Sequence, residues 1–284
     1  MFSSISRNVL NTYKKGISPS IFRNASTKID FDNGIKRITM CNTKNRNALS
    51  ISMMDELIQN ITNDKDKIDL RIIVINAEGP VFSAGHNLKE LTAESGRQQH
   101  EKVFKLASEL MFNIIDSPVP VIACVNGLAA AAGCQLVAQC DIAICSDKST
   151  FMTPGVNFGI FCSTPGVALA RCVPKMTAMH MLLTGLPISS SEAKQSGLVS
   201  KVCSEESLDN ELDVICKAIL SKSRSVVELG KKFYYKQIQE NIRNAYILGG
   251  NQMVDNLALE DGKEGIKSFV EKRKAVWSHT FNTN

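Results

Sequence analysis

The sequence has no Cys-X-X-Cys pair, and its four histidines do not cluster with its nine cysteines. Structural zinc sites are built from closely spaced cysteines and histidines, so this pattern argues against a metal centre of that kind. The number of cysteines is odd and most of them lie inside apolar runs, which favours buried free thiols in a reducing compartment. We therefore predict that the protein holds no metal.

An excess of basic residues is missing from most of the chain. The sequence has 33 basic and 28 acidic residues, and four of the basic ones lie in residues 1–27, which contain no acidic residue. The remainder has 29 basic against 28 acidic residues, which is not the basic surface expected of a nucleic-acid-binding domain. Residues 1–27 are Ser-rich, basic and acid-free, a composition that predicts a mitochondrial transit peptide and a matrix location. A basic N-terminus without a targeting role is the alternative.

An uninterrupted apolar run is also missing. Residues 117–140 carry no charge and are long enough to cross a bilayer, but Pro118, Pro120, Gly127 and Gly133 interrupt them. The segment divides into a strand, a turn and a short helix. We interpret it as buried core and predict no membrane span.

Short apolar strands and amphipathic helices alternate in the first part of the chain. The predicted strands are residues 36–41, 70–76, 119–125 and 142–145, and the last three are apolar enough to be buried on both faces. The predicted helices are residues 50–62, 97–116, 177–184, 189–196, 205–222, 225–240, 242–259 and 263–277. The pattern predicts an α/β core followed by a helical tail, without internal repeats.

Two turns rich in small residues follow predicted strands, GPVFSAGHNLKEL at 79–91 and VNGLAAAAGCQLVAQCD at 125–141. Small residues let a ligand approach the backbone, and a helix that begins at the second turn presents free N–H groups. Two such turns side by side have the design of an oxyanion hole. Close packing is the more common reason for small residues at strand–helix junctions, and it is the alternative here. Neither turn contains a GxGxxG or GxxxxGK[ST] pattern, so a nucleotide-phosphate cradle is not supported.

Several longer stretches resemble the crotonase superfamily, which includes enoyl-CoA hydratases and isomerases. They are NRNALS at 45–50, VFSAGHNLKEL at 81–91, PVIACVNGLAAAAGCQLVAQCDIAI at 120–144, PISSSEAKQSGLVSKV at 187–202 and EGIKSFVEKRK at 264–274. The resemblance implies a crotonase-like ββα spiral core over residues 28–222 and a C-terminal helical oligomerisation region over residues 223–284. It further implies a homotrimer or a hexamer built from trimers.

The resemblance also implies a site for an acyl-CoA thioester, with no other cofactor. By motif position, the backbone N–H groups of His86 and Ala132 would hold the thioester oxygen. The residues implied to bind the CoA part are Asn45, Arg46, Ala84, Leu88, Phe269 and Lys272. In relatives, the last two positions often reach the site of a neighbouring subunit.

Hydratases of this superfamily use two glutamates, and both are missing here. The corresponding positions are Gln135 and Gly155, neither of which can exchange a proton. Because each acid–base group contributes roughly 10²–10⁴ in rate, ordinary hydration of an enoyl-CoA is not expected. Restoring both glutamates tests whether their loss is the only change in the pocket.

Three functions are compatible with this combination. The first is acyl-CoA binding with a role in fatty acid metabolism. The second is a decarboxylase-like reaction that uses the His86 loop, since the run SAGHN resembles a stretch of superfamily decarboxylases. Those enzymes carry a tyrosine where this chain has Phe161 and Cys162, so the match is partial. The third is a non-catalytic or regulatory CoA-thioester-binding protein. Thr153, Asn157, Cys162 and Ser163 are further candidates for the acyl pocket, with packing or helix capping as the alternative.

Overall fold

The computed structural model describes residues 25–283, and its strands alternate between two sheets. The predicted transit peptide therefore lies almost entirely outside the described residues. The strands are β1 Thr27–Asp32, β2 Ile35–Met40, β3 Ile72–Ala77, β4 Val81–Ser83, β5 Val121–Val125, β6 Leu128–Ala130, β7 Ile142–Ser146, β8 Thr150–Met152, β9 Ile188–Ser189 and β10 Lys201–Cys203. The helices are α1 Ile51–Thr62, α2 Gly96–Asp116, α3 Ala132–Gln139, α4 Ser163–Cys172, α5 Lys175–Thr184, α6 Ser190–Gln195, α7 Leu208–Leu220, α8 Arg224–Gln237, α9 Ile242–Ala258 and α10 Glu260–Val270.

The two sheets arise from a repeated strand–strand–helix unit. The larger sheet has the order β1-β2-β3-β5-β7-β10, and the smaller has the order β4-β6-β8-β9. Strands β3, β5 and β7 are parallel neighbours in the first sheet, and the strand that follows each of them, β4, β6 or β8, lies in the second. A helix follows each pair of strands. This repetition places equivalent strand–helix turns side by side.

The central strands of the larger sheet are buried on both faces, as predicted from their apolar runs. On one face, Ile73 and Ile75 join the main core, which also includes residues of α1, α2 and α3. On the other face, Ile72 and Val74 pack with residues of α7, including Leu212. The sheet is therefore a rigid middle layer from which the turns project.

The predicted strands are present, with ends displaced by one or two residues. Residues 117–140 are buried core as predicted, although β6 within them was not anticipated. Helix α4 was also missed, because Pro165 and Gly166 resemble a turn; a proline is tolerated in the first turn of a helix. Within residues 25–283, no helix is both long and apolar enough to span a membrane.

The predicted helix over residues 263–277 is wrong at both ends. Helix α10 begins at Glu260 and ends at Val270, and Lys272 takes a left-handed backbone conformation with φ +53°. The guanidinium of Arg273 folds back onto Glu264, with 2.6 Å between Nη1 and Oε1. This reversal stops the helix, and the chain continues without regular structure.

Candidate functional site

The two turns singled out from the sequence are in contact. Strands β4 and β6 are parallel neighbours, so the turns that leave them lie at the same edge of the smaller sheet. Gly85 has φ +88°, and a Cβ at this position would lie only 2.8 Å from Ala131 Cβ and 3.2 Å from the backbone nitrogen of Ala132. Only glycine allows this approach. The 83–86 turn therefore rests directly on the N-terminus of α3.

Two backbone N–H groups are left free where the turns meet. The N–H of Leu49 donates to the carbonyl of Gly85 at 2.8 Å, in a parallel bridge that does not use the N–H of His86 itself. Ala132 is the first residue of α3, so its N–H has no acceptor inside the helix. Neither N–H donates to another protein group in the part of the chain that the structure describes. Two adjacent free donors at a positive helix end suit a carbonyl oxygen that gains negative charge.

Ala131 supplies this geometry at the cost of backbone strain. Its dihedral angles are φ +49° and ψ −118°, in a region that residues with a Cβ rarely occupy. Its N–H donates to the carbonyl of Met152 at 2.9 Å, and its own carbonyl accepts from the N–H of Gln135 at 3.0 Å. These bonds hold the turn in place and fix the direction of the neighbouring Ala132 N–H.

Gln135 lies one turn further along α3, on the same face as Ala132. The residue is 5% exposed, and its Oε1 is buried with no hydrogen-bond partner among residues 25–283. Thr153 is fully buried, and its Oγ1 likewise has no partner. Buried polar atoms without partners are rare in folded proteins and commonly mark functional positions. An amide and a hydroxyl thus lie beside the turns, and the amide is at the position predicted to correspond to the first glutamate.

Gly155, the position predicted to correspond to the second glutamate, has no room for a side chain. A Cβ there would lie 2.2 Å from the carbonyl oxygen of Ile160 and 2.7 Å from Cys162 Sγ. The N–H of Gly155 points to Cys162 Sγ at 3.3 Å, and the N–H of Ile160 donates to the Gly155 carbonyl at 3.0 Å. The 155–162 loop therefore closes over the space that a glutamate would need. Glutamate cannot be restored here without moving this loop, which the sequence alone did not indicate.

The imidazole of His86 is neutral and largely enclosed. Burial lowers the pKa of His86, and the hydrogen bond to the Leu49 carbonyl opposes this only in part. Nδ1 lies 3.4 Å from that carbonyl oxygen, while Nε2 is buried without a partner. The ring meets Phe104 of α2 edge-on, with 5.5 Å between ring centroids. His86 therefore carries an uncharged, unpartnered ring nitrogen on the same residue as one of the free N–H groups.

Four of the residues predicted to bind CoA lie on one side of this site. The N–H of Ala84 donates to the carbonyl of Arg46 at 3.0 Å, which joins the 84–88 turn to the segment that contains Asn45. Leu88 begins a short 3-10 helix and is exposed. The hydrogen bond joins two of the predicted segments, and binding of CoA by these four residues stays a prediction.

The structure does not bring Phe269 and Lys272 into this group within one chain. Phe269 lies on α10 and is 84% exposed, and Lys272 follows that helix. Helix α10 packs against α8 and α9. Their predicted role therefore depends on a second copy of the chain.

Sequence reasoning missed the side chains that support the first turn. Ser83 Oγ donates to the carbonyl of Asn47 at 2.8 Å and accepts from the N–H of Gly85 at 3.2 Å. Asn47 in turn donates from Nδ2 to the carbonyls of Glu78 and Val81 at 3.0 and 2.8 Å. Both residues lie within the motifs already quoted, but their roles depend on contacts between distant segments.

Comparison with known proteins places this geometry in a family. The sequence model of the enoyl-CoA hydratase/isomerase family matches residues 30–280. Human enoyl-CoA hydratase domain-containing protein 3, mitochondrial, is 58% identical over 246 residues, which cover 87% of this chain and 81% of the human one. The mitochondrial enoyl-CoA hydratase of Pongo abelii is 33% identical over 245 residues, which cover 86% and 83% of the two chains.

Solved structures agree with the sequence matches. The crystal structure of human enoyl-CoA hydratase domain-containing protein 3 superposes with a TM-score of 0.87 at 56% identity, covering 89% of this chain and all of the human one. An enoyl-CoA hydratase from Mycobacterium smegmatis gives a TM-score of 0.87 at 40% identity, covering 90% and 99% of the two chains. The predicted crotonase fold, with its C-terminal helices, is confirmed. The chain belongs to the enoyl-CoA hydratase/isomerase, or crotonase, family.

Proposed function

We propose that this protein binds acyl-CoA thioesters in the mitochondrial matrix and acts in fatty acid metabolism. The observation that carries the proposal is the pair of unpaired N–H groups of His86 and Ala132 at two turns packed together. Such a pair can donate two hydrogen bonds to a thioester oxygen without any side-chain donor. The names of its close relatives describe those proteins as mitochondrial, which agrees with the composition of residues 1–27.

Ordinary hydration is not part of the proposal, because the site has no carboxylate at either expected position. The amide of Gln135 cannot accept a proton at neutral pH. At Gly155, the Ile160 carbonyl and the Cys162 thiol fill the place of a second side chain. Burial raises the pKa of Cys162, so its thiol is not a substitute base. Water activation by the two-glutamate route has no counterpart here.

Decarboxylation is the second candidate, favoured by the neutral imidazole of His86. Loss of carbon dioxide from a malonyl-type thioester requires stabilisation of an enolate oxygen, which the two N–H groups supply. The enolate must then take up a proton at carbon. The neutral His86 ring directs its Nδ1–H at the Leu49 carbonyl and has no proton on Nε2, so the proton comes from a water molecule that the Nε2 lone pair orients.

Assembly into a homotrimer or hexamer through residues 223–284 completes the proposal. Helix α9 has no buried residue, although it contains Ile242, Tyr246 and Ile247. An apolar groove of about 720 Å³ separates it from α8. Apolar surface of this extent on a helix pair marks a contact with another chain. We further propose that Phe269 and Lys272 reach the CoA site of the neighbouring copy.

The test is to incubate the protein with crotonyl-CoA, a long-chain enoyl-CoA and methylmalonyl-CoA, measuring binding by calorimetry and products by mass spectrometry. We expect binding with no gain of water. Loss of carbon dioxide would establish the second candidate, and a water adduct would contradict our account of the missing glutamates. The Gln135→Glu/Gly155→Glu variant should stay inactive as a hydratase, because the second glutamate displaces the 155–162 loop. Failure of the wild-type protein to bind any thioester would overturn the proposal.

A further inference from the structure

The chain after α10 forms a defined segment without helix or strand, residues 272–283, which we call the C-terminal strap. The indole Nε1 of Trp277 donates to the carbonyl of Ser221 at 2.9 Å, just beyond the end of α7. The N–H of Glu260 donates to the carbonyl of Asn282 at 2.7 Å. The strap therefore connects the start of α10 with the junction between α7 and α8.

Asp261 is the anchor of the C-terminal strap. Its side chain is 2% exposed, and it accepts from the N–H and Oγ of Ser278 at 2.7 and 2.8 Å and from the N–H of His279 at 2.9 Å. It also accepts from Oγ of Ser223 at 2.6 Å, at the N-cap of α8. Burial by itself would raise the pKa of Asp261, but these hydrogen bonds lower it below its usual range. Asp261 stays ionised through the neutral and mildly acidic range.

The imidazole of His279 is the part of the C-terminal strap that can change charge. Its Nδ1 accepts the backbone N–H of Arg224 at 3.1 Å, and its Nε2 lies 3.4 Å from Nη1 of Arg71. A neutral imidazole has one acceptor nitrogen, so when Nδ1 accepts from Arg224 the proton lies on Nε2, which faces Arg71 without a hydrogen bond. Adding a proton to Nδ1 would remove the acceptor for Arg224 and place a positive charge beside two guanidinium groups.

Three charged groups from different parts of the chain surround His279, and two of them are positive. Arg71 precedes β3, Arg224 begins α8, and Asp261 belongs to α10. Burial, followed by Arg71, lowers the pKa of His279, with a smaller lowering from Arg224; Asp261 opposes these effects but does not cancel them. The surroundings of the closed strap therefore favour the neutral ring.

We propose that the C-terminal strap is a proton-sensitive latch, closed on α10 and α8 while His279 is neutral and released when His279 is protonated. The released ring has a pKa near its ordinary value of about 6.5, and the closed ring has a lower one. The released form therefore binds the extra proton. The ratio of closed to released strap is therefore highest above pH about 6.5. Below that pH the ratio falls by at most tenfold per pH unit, until the pH reaches the pKa of the closed form. The inference depends on contacts within one chain and not on acyl-CoA binding.

Trp277 makes the latch measurable, because it is the single tryptophan of the sequence and lies in the strap. The experiment records tryptophan emission and its quenching by acrylamide, on the full-length protein, from about pH 8 to about pH 5. We expect a red shift and stronger quenching as the pH falls below about 6.5, while far-UV circular dichroism stays unchanged. An emission maximum that stays constant across the range would overturn the proposal.

Two substitutions separate the latch from general acid effects. In His279→Asn, the side-chain oxygen can still accept the Arg224 N–H but cannot titrate, so we expect the transition to disappear. His180→Asn changes an exposed histidine on α5 and should keep the wild-type transition. A wild-type transition in His279→Asn would contradict the proposal.

A second measurement covers the case in which His279→Asn does not fold. In the wild-type protein, the N–H groups of Ser278 and His279 both donate to Asp261, so their hydrogen exchange reports opening of the strap. After correction for intrinsic exchange, opening should increase as the pH falls, by up to tenfold per unit below pH about 6.5. Protection that is independent of pH would exclude the latch.

Discussion

The residues of the candidate site act mainly through the backbone. The donors of His86 and Ala132 are N–H groups, so most substitutions at these positions leave them in place. What holds the donors in position is local: a glycine at 85 that fits against Ala131, and a strained backbone at Ala131 itself. A substitution that alters the backbone at these positions should therefore have a different effect from one that alters only the side chain.

A proline at position 86 removes one donor, whereas an alanine removes only the imidazole. We expect His86→Pro to lower any turnover by about 10²–10³-fold, and to weaken acyl-CoA binding by up to about tenfold, for one lost hydrogen bond. His86→Ala should keep thioester binding within a few-fold but abolish any decarboxylation. Calorimetry and mass spectrometry measure the two effects, with circular dichroism as the check on folding. Equal affinities in the two variants would show that the His86 N–H does not hold the thioester.

Glycine at position 131 should relieve the strain without disturbing the site. Ala131 has φ +49° and ψ −118°, a conformation that destabilises the folded state by about 1–3 kcal/mol when the residue is alanine. Glycine removes this strain, but its greater flexibility stabilises the unfolded state by about 1 kcal/mol. We expect Ala131→Gly to raise the free energy of unfolding by about 1 kcal/mol in urea titration. Ala129→Gly, in β6 nearby, is the matched control and should lower it. A loss of stability in Ala131→Gly would mean that the strain is absent.

At the scale of elements, a buried ion pair is one of the links between helix α8 and the α/β core, besides the hydrogen bonds that Arg224 donates. Lys231 Nζ lies 2.7 Å from Asp141 Oδ2 and also donates to the carbonyls of Ile114 and Val119. Tyr235, one turn further along α8, donates to Asp141 Oδ1 at 3.0 Å. The same carboxylate accepts the N–H of Val121 at the start of β5. Helix α8 is thus fixed to the end of α2 and to the central sheet.

Removing the cation of this pair should be far more costly than removing the hydroxyl. We expect Lys231→Met to lower the free energy of unfolding by about 3–5 kcal/mol, because it leaves the Asp141 carboxylate buried without its partner. Tyr235→Phe should cost only about 1 kcal/mol. Thermal and urea denaturation measure both variants. Similar costs for the two would show that the ion pair does not contribute more than the hydroxyl to the link between α8 and the core.

At the scale of the whole molecule, the C-terminal helices expose several large apolar side chains, as does the region from Phe158 to Leu186. Ile247 on α9 is 64% exposed, and α9 contributes to the apolar groove beside α8. In a single chain, this apolar surface is exposed to solvent. Phe269 and Lys272 lie on the same part of the molecule, so assembly and completion of the CoA site are expected to be coupled.

A charge on α9 should therefore disrupt both assembly and binding. We expect wild-type protein to be a trimer or hexamer by light scattering, and Ile247→Asp to shift it towards the monomer and weaken acyl-CoA binding. Val214→Asp places the same charge at a similarly exposed valine of α7 and should change neither. A monomeric wild-type protein would contradict the proposed assembly. Unchanged binding by a monomeric Ile247→Asp would show that the neighbouring copy contributes nothing to the site.

The sequence by itself determined the elements whose signal is local and the motifs that identify the family. The apolar runs at β3, β5 and β7, the amphipathic pattern of α2 and the two small-residue turns each depend on neighbours within a few positions. Only the tertiary structure decided how these parts meet: that Gly85 touches Ala131, that the 155–162 loop fills the place of a glutamate, and that Asp261 holds the C-terminal strap. These contacts join residues far apart in the chain or depend on volumes that periodicity does not encode. Helix α10 also ended earlier than predicted, where Lys272 takes a left-handed backbone conformation that the apolar pattern does not encode.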